Sequence, residues 1–209
     1  WFDAALAGVV GLLVGSFLNV VIYRLPKMME RKWATECAEY AGMNADQASP
    51  PPSAEADVFN LARPRSRCQA CGHQLRWYEN IPVLSYLFLR GRCSSCGVSI
   101  SIRYPLVELT TAALFFFCVQ QWGATVTGLA WCVFAAVLVS LAFIDWDTTL
   151  LPDDLTLPLL WAGLLASALQ WIDVPLYNSV IGAAAGYLSL WLVYWGFKLV
   201  TGKEGMGYG

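Results

Sequence analysis

Charge is scarce in this chain. Only 13% of its 209 residues are Asp, Glu, Lys or Arg, against 57% apolar residues and a mean hydropathy of +0.52. That balance excludes an ordinary soluble domain of this size. Alternation is missing too. The long apolar stretches have no apolar/polar dyad period, which excludes the lipid-facing strands of a β-barrel. A backbone that must satisfy its own hydrogen bonds in lipid is then left with helices. No Rossmann-type glycine fingerprint is present, and no nucleic-acid partner is expected.

What is present is a series of apolar runs at about 4–23, 105–121, 126–144, 155–171 and 178–197. Each comes close to the roughly 20 residues that a bilayer requires. The expected fold is an all-α polytopic membrane protein with about five transmembrane helices in the lipid bilayer. Eleven of the thirteen Lys and Arg lie between Arg24 and Arg103, and the other two, Lys198 and Lys203, follow the last run. The positive-inside rule puts both regions in the cytoplasm. The links at 122–125 and 173–177 then fall outside, and the link at 145–154 falls inside. Trp1 in place of Met, and the glycine-rich ending GKEGMGYG, read as a fragment cut at both ends.

The chain divides accordingly into a first transmembrane helix (1–23), a cytoplasmic loop (24–104) and a membrane core (105–209). The loop opens as a charged helical stretch and passes into a Pro, Ser and Ala-rich linker (27–58). Its second part (59–104) carries Cys68-x2-Cys71 and Cys93-x2-Cys96, each pair followed by Gly. Four thiolates at that spacing predict a closed, tetrahedral structural zinc site. Two disulfides or free thiols are the alternative, and a reducing cytoplasm argues against disulfides. His73 is read as a surface residue. Cys37, Cys118 and Cys132 have no partner at ligand spacing and are read as ordinary cysteines.

Four carboxylates, Asp145, Asp147, Asp153 and Asp154, crowd into ten residues of FIDWDTTLLPDD. LPDDLT looks like a helix start, so Asp153 or Asp154 is expected to cap the fourth span. Asp145 differs, because it follows an apolar run without a break and sits where the helix dipole disfavours an anion. An ionisable residue placed at such a cost is a candidate functional group. Asp147, two residues on, lies off its face. Asn19 and Glu108 are polar groups inside spans: Asn19 is read as an interhelical hydrogen bond, and Glu108 as either such a structural bond or a group that binds substrate or methyl donor, with Arg103 a possible partner. Gly8 and Gly15, or Gly182 and Gly186, are candidates for close packing.

Several motifs together carry a resemblance. GSFLNVVIYRLP at 15–26, CQAC, CSSC, ENIPVLSYLFLRGRC, SIRYPLVELTTA, FIDWDTTLLPDDLTLP and the final GMGYG resemble, in order, bacterial type IV prepilin leader peptidases. The resemblance implies a membrane aspartic protease of the bacterial inner membrane with a cytoplasmic catalytic face. It would cut leaders from type IV prepilins and type II secretion pseudopilins and N-methylate the product with S-adenosylmethionine. It implies that residues 105–209 are a peptidase core and that Asp145, seven positions before Pro152, is the first catalytic Asp. The second would close a GxGD motif that starts at Gly207-Tyr208-Gly209, directly after Gly209. Gly205, Gly207 and Gly209 would form the active-site loop, with Asp147 and Glu108 as secondary candidates. A cation transporter would instead place acidic residues at mid-depth on several helices. A zinc-module scaffold without chemistry is the other rival.

Overall fold

A computed structural model describes residues 1–40 and 59–202. Its helices are α1 (Phe2–Tyr40), the short α2 (Leu84–Phe88), α3 (Arg103–Trp122), α4 (Val126–Thr148), α5 (Asp153–Ala168) and α6 (Leu176–Thr201). Among the described residues, extended pairing is limited to two isolated bridges.

The first helix does not stop where its apolar run ends. It continues through YRLP into the charged stretch as one 39-residue helix with Pro26 inside it. Proline lacks the N–H that would bond the carbonyl of Ile22, four residues earlier, so the helix tolerates one missing rung there. The front of the predicted linker is therefore helical as far as Tyr40, and residues 41–58 lie outside the described part.

The core is built by α1, α3 and α4. Ile22, Val107, Phe115, Cys132, Val139 and Ile144 are buried together at their junction. Small residues let α1 and α3 approach. A methyl group built on Gly11 would stand 2.7 Å from the Cα of Ala112, and one on Gly15 2.7 Å from the Cα of Glu108. Close backbone contact through glycine is how helices associate where lipid supplies no hydrophobic drive. Gly8 is in ordinary contact, and Gly182 and Gly186 face open space among the described residues. Of the predicted packing glycines, Gly15 is the tight one.

A compact turn makes α3 and α4 an antiparallel hairpin. Gly123 adopts a left-handed φ of +69° at the end of α3, which glycine reaches without a Cβ clash. Thr125 then caps α4, its hydroxyl accepting from Gly128 N–H at 3.2 Å. Residues equally far from this turn meet, as Cys118 and Cys132 do.

Three helical segments, Phe2–Cys37, Val126–Thr148 and Leu176–Thr201, are long and apolar enough to cross a membrane. Each of the five predicted runs falls on a helix, the fourth overrunning the end of α5 by three residues, but two fall short of that measure. At 16 residues, α5 is only about 24 Å long, and α3 carries Arg103, Gln120 and Gln121 at its ends and Glu108 in its second turn. The most apolar stretch of α6 is only 6% buried among the described residues. Ser167 and Ser179 hydroxyls, 2.6 Å apart, tie α5 to α6.

Candidate functional site

The two Cys-x2-Cys segments fold into matching knuckles. Cys68 N–H donates to His73 C=O (2.8 Å) and Cys68 C=O accepts from Gly72 N–H (2.9 Å); Cys93 N–H donates to Val98 C=O (2.8 Å) and Cys93 C=O accepts from Gly97 N–H (3.0 Å). Gly72 and Gly97 close the turns at φ +73° and +69°, which explains why each pair is followed by glycine. The bridges Arg67–Gln74 and Arg92–Ser99 flank the knuckles equivalently. The long spacer between the pairs is taken up by a 3₁₀ turn (Trp77–Asn80) and by α2.

All four sulfurs lie within 4.8 Å of one another, with Cys68 and Cys96 3.8 Å apart. Sulfurs around a tetrahedral ion with bonds of about 2.3 Å stand roughly 3.8 Å apart, so the cluster could hold a metal and is consistent with zinc. Its electrostatics fit as well. N–H groups of Cys71 and Ala70 hold the Cys68 thiol down at about 6, and those of Cys96 and Ser95 lower Cys93. Cys96 accepts from Val98 N–H, yet its sulfur neighbours and burial push it up to about 12. Four touching sulfurs cannot all ionise until a cation sits among them.

Two buried charged residues anchor this module, and neither stands out in the sequence. Glu79 accepts from Arg76 N–H (2.8 Å) and contacts His73 Nε2 (3.3 Å) and Ser94, linking both knuckles. The Arg76 N–H bond is the chief reason that its carboxyl sits below the usual range. His73 is thus partnered by Glu79 rather than simply exposed. Arg24, in the YRLP segment of α1, donates to the carbonyls of Asn60 (2.8 Å), Leu61 (3.3 Å) and Pro64 (2.6 Å). One guanidinium fork satisfies three backbone acceptors and ties the module to the helix.

At the end of α4, the carboxylates separate. Asp145 lies on the last turns and is exposed; among the described residues its carboxylate has no hydrogen bond or ion pair, while its carbonyl accepts from Thr149 N–H at 2.8 Å. Asp147 is paired with Arg103, whose guanidinium also lies 5.5 Å from the Phe143 ring centre. Arg103 is therefore not the partner of Glu108. The hairpin register brings the start of α3 to the end of α4, whereas Glu108 lies over one turn further along. Glu108 instead accepts from Val83 N–H at 2.7 Å.

Asp153 and Asp154 do not cap α5. Pro152, in an extended conformation, takes the capping position, and both aspartates fall in the first turn, where the helix dipole favours an anion. Asn19 Nδ2 donates to Tyr104 C=O at 3.1 Å, an α1–α3 link. Gly205, Gly207 and Gly209 lie outside the described residues.

A four-cysteine module clamped to a bundle of apolar helices, one of which ends in a carboxylate unpaired among the described residues, defines a helical membrane protein with a candidate aspartate site. Comparison with known proteins places it more closely. Residues 9–122 match the family model described as Bacterial Peptidase A24 N-terminal domain, and residues 132–209 match the Type IV leader peptidase family. The chain belongs to the type IV leader peptidase family.

It is 53% identical over 204 residues to a protein of Pseudomonas putida, an alignment covering 98% of this chain and 68% of the relative. A Neisseria gonorrhoeae protein is 50% identical over 208 residues, covering 100% and 70%. One from Dichelobacter nodosus is 54% identical over 204 residues, covering 97% and 69%. All three relatives bear the name prepilin leader peptidase/N-methyltransferase. No solved structure is a significant match.

Proposed function

We propose that this chain is the larger part of a membrane aspartic endopeptidase that removes leaders from type IV prepilins and type II secretion pseudopilins and N-methylates the new terminus. The observation that carries the reading is the contrast at the end of α4: Asp147 is locked to Arg103, while Asp145 is exposed with no carboxylate partner among the described residues. Such a group is available to share a proton with a second carboxyl. One member of an aspartic pair accepts a proton from water as the other donates to the scissile carbonyl, and their titration belongs to the pair. By the family pattern the second member is the Asp of the GxGD motif that begins at Gly207, directly beyond Gly209. Asp147 and Glu108 hold structural contacts and remain secondary candidates.

Cys68, Cys71, Cys93 and Cys96 would hold zinc in a closed structural role, since four thiolates leave no open coordination position. S-adenosylmethionine would supply the methyl group. The basic loop and the end of α4 face the cytoplasm in this reading, at the inner membrane of a bacterium.

Mass spectrometry of a model prepilin incubated with the full-length protein and the methyl donor tests both activities. The expected product starts one residue after the leader glycine and is 14 Da heavier at its N-terminal amine, the increment of one methyl group. An intact substrate after prolonged incubation would overturn the peptidase reading, and an unmodified mature terminus the methyltransferase one.

A further inference from the structure

One edge of the cysteine module is apolar. The side chains of α2 divide between two faces. Ser85, Tyr86 and Leu89 line a cavity between the module and the adjoining ends of α1 and α3. Leu84, Leu87 and Phe88 lie outside it and are 52%, 64% and 84% exposed among the described residues. Their i, i+3, i+4 spacing puts them on one face of the helix. Trp77 and Tyr78, in the 3₁₀ turn before α2, are exposed as well. Single apolar residues are common on a surface, but five large ones between 77 and 88 form a patch of the kind that meets a partner or a membrane.

Depth places this patch beside the bilayer. Val83, directly before α2, donates its N–H to the Glu108 carboxylate at 2.7 Å. Glu108 stands in the second turn of α3, about 7.5 Å of helix rise from Arg103, and Leu106 and Leu109, which flank it in sequence, are 51% and 52% exposed. The start of α2 is therefore level with the apolar part of α3 rather than with its charged end. Charge points the same way. Residues 59–102 carry six Arg, all exposed, and a single acidic residue, Glu79, which is buried. Arg90 and Arg92 follow directly on the apolar face of α2. Cations beside an apolar edge complement a phospholipid surface, which has phosphates outside and acyl chains beneath. An acidic soluble protein would also match the arginines, but a patch level with a membrane span is out of its reach.

We propose that α2 and the 3₁₀ turn before it rest in the cytoplasmic leaflet of the bilayer. Leu84, Leu87 and Phe88 enter the upper acyl chains, Trp77 sits at the headgroup level where amphipathic rings collect, and Arg90 and Arg92 meet lipid phosphates. The proposal rests on the membrane topology of the reading above. It makes the four-cysteine module a platform seated on the membrane beside α1 and α3, not a domain hanging free in the cytoplasm. Tethered by Arg24 on one side and by this apolar edge on the other, the module is held at a fixed height against the helix ends.

Photo-crosslinking of the full-length protein in liposomes of phosphatidylethanolamine and phosphatidylglycerol tests the assignment. With p-benzoylphenylalanine in place of Phe88, illumination should yield an adduct heavier by one phospholipid, read by mass spectrometry. The same probe in place of Tyr86, on the opposite face of α2, should instead crosslink within the chain. Zinc content and elution profile report that each variant is folded. A crosslink from position 88 into the chain itself or to another protein, or no adduct at all, would overturn the lipid contact. Arg90→Glu combined with Arg92→Glu should lower the lipid adduct about fivefold, since each cation near an anionic leaflet strengthens attachment by roughly that factor; an unchanged yield would overturn the part given to the arginines. Sidedness is read separately. Trypsin should cut within residues 59–102 in inverted inner-membrane vesicles and not in intact spheroplasts. Cleavage in spheroplasts would overturn the topology, whereas loss of the lipid adduct with trypsin sidedness as expected would overturn only the seating of α2.

Discussion

Replacing Gly15 by Ala asks whether the approach of α1 to α3 is as close as the coordinates place it. The added methyl would stand 2.7 Å from Glu108 Cα and 3.3 Å from the Glu108 backbone N and O. Backbone atoms cannot rotate aside, so the helices must part by about 1 Å to restore ordinary contact. Overpacking of that kind costs about 1–3 kcal/mol. Alanine also gains roughly 1 kcal/mol over glycine in helix propensity, which opposes the steric loss.

Gly8→Ala, on the same helix, separates the two effects. It gains the same propensity, but its methyl would sit 3.7 Å from Ala112 O and Phe116 Cβ, an ordinary contact. The difference between the two variants is the steric contribution, about 1–3 kcal/mol, or roughly a 5- to 150-fold difference in unfolding equilibrium constant. Gly11→Ala, whose methyl would meet Ala112 Cα at 2.7 Å and Thr111 O at 2.9 Å, should behave as Gly15→Ala does. Tryptophan fluorescence during SDS titration in mixed micelles reads this out. Equal midpoints for Gly8→Ala and Gly15→Ala would refute the close α1–α3 contact.

Elemental analysis should find about one zinc per chain, lost in Cys93→Ser and retained in Cys118→Ser, because only the former removes one of the four ligands. Acidification should release that metal, and Glu79 shapes the acid limb. Its folded carboxyl is held below the usual range, so its contribution is complete above the unfolded value of about 4.3 and is lost as pH falls through the folded one. Glu79→Gln should therefore weaken zinc retention at neutral pH and flatten its decline below about pH 4, as followed with a chromophoric chelator. Arg24→Met should destabilise the docked module by about 1–3 kcal/mol, the penalty for a buried acceptor left unsatisfied, seen as faster proteolysis between residues 59 and 104. An unchanged cleavage rate would contradict that role.

Some parts of this architecture are written locally and others are not. CxxCG reports its knuckle within six residues, because turn, glycine and thiolates are all neighbours in sequence. The apolar runs report their helices for the same reason, although α3 and α5 show that a run near 20 residues need not yield a helix long and apolar enough to span alone. Arg24 is silent in the sequence, since its carbonyl partners are brought in by tertiary folding, whereas Glu79 bonds the Arg76 N–H only three residues back and meets Ser94 through folding. The Arg103–Asp147 pair is an intermediate case. No basic residue lies near Asp147 in sequence, yet Gly123–Thr125 marks a tight turn almost equidistant from both, and antiparallel register alone would have paired them. Pro152 displaced Asp153 and Asp154 from the capping position because its fixed φ suits the entry to a helix.

The central claim is that Asp145 is one half of a catalytic pair, and leader cleavage by the full-length Asp145→Asn protein tests it most directly. In liposomes, with a gel shift of a model prepilin as the readout, this variant should insert, carry its zinc and lose cleavage by several orders of magnitude, because one carboxyl cannot serve as both acid and base. Asp147→Asn, which breaks a half-exposed ion pair with Arg103, should cleave at a reduced but measurable rate, and Asp153→Asn should retain substantial activity. Wild-type cleavage by Asp145→Asn would contradict the account and leave FIDWDTTLLPDD as a helix junction with no part in the chemistry.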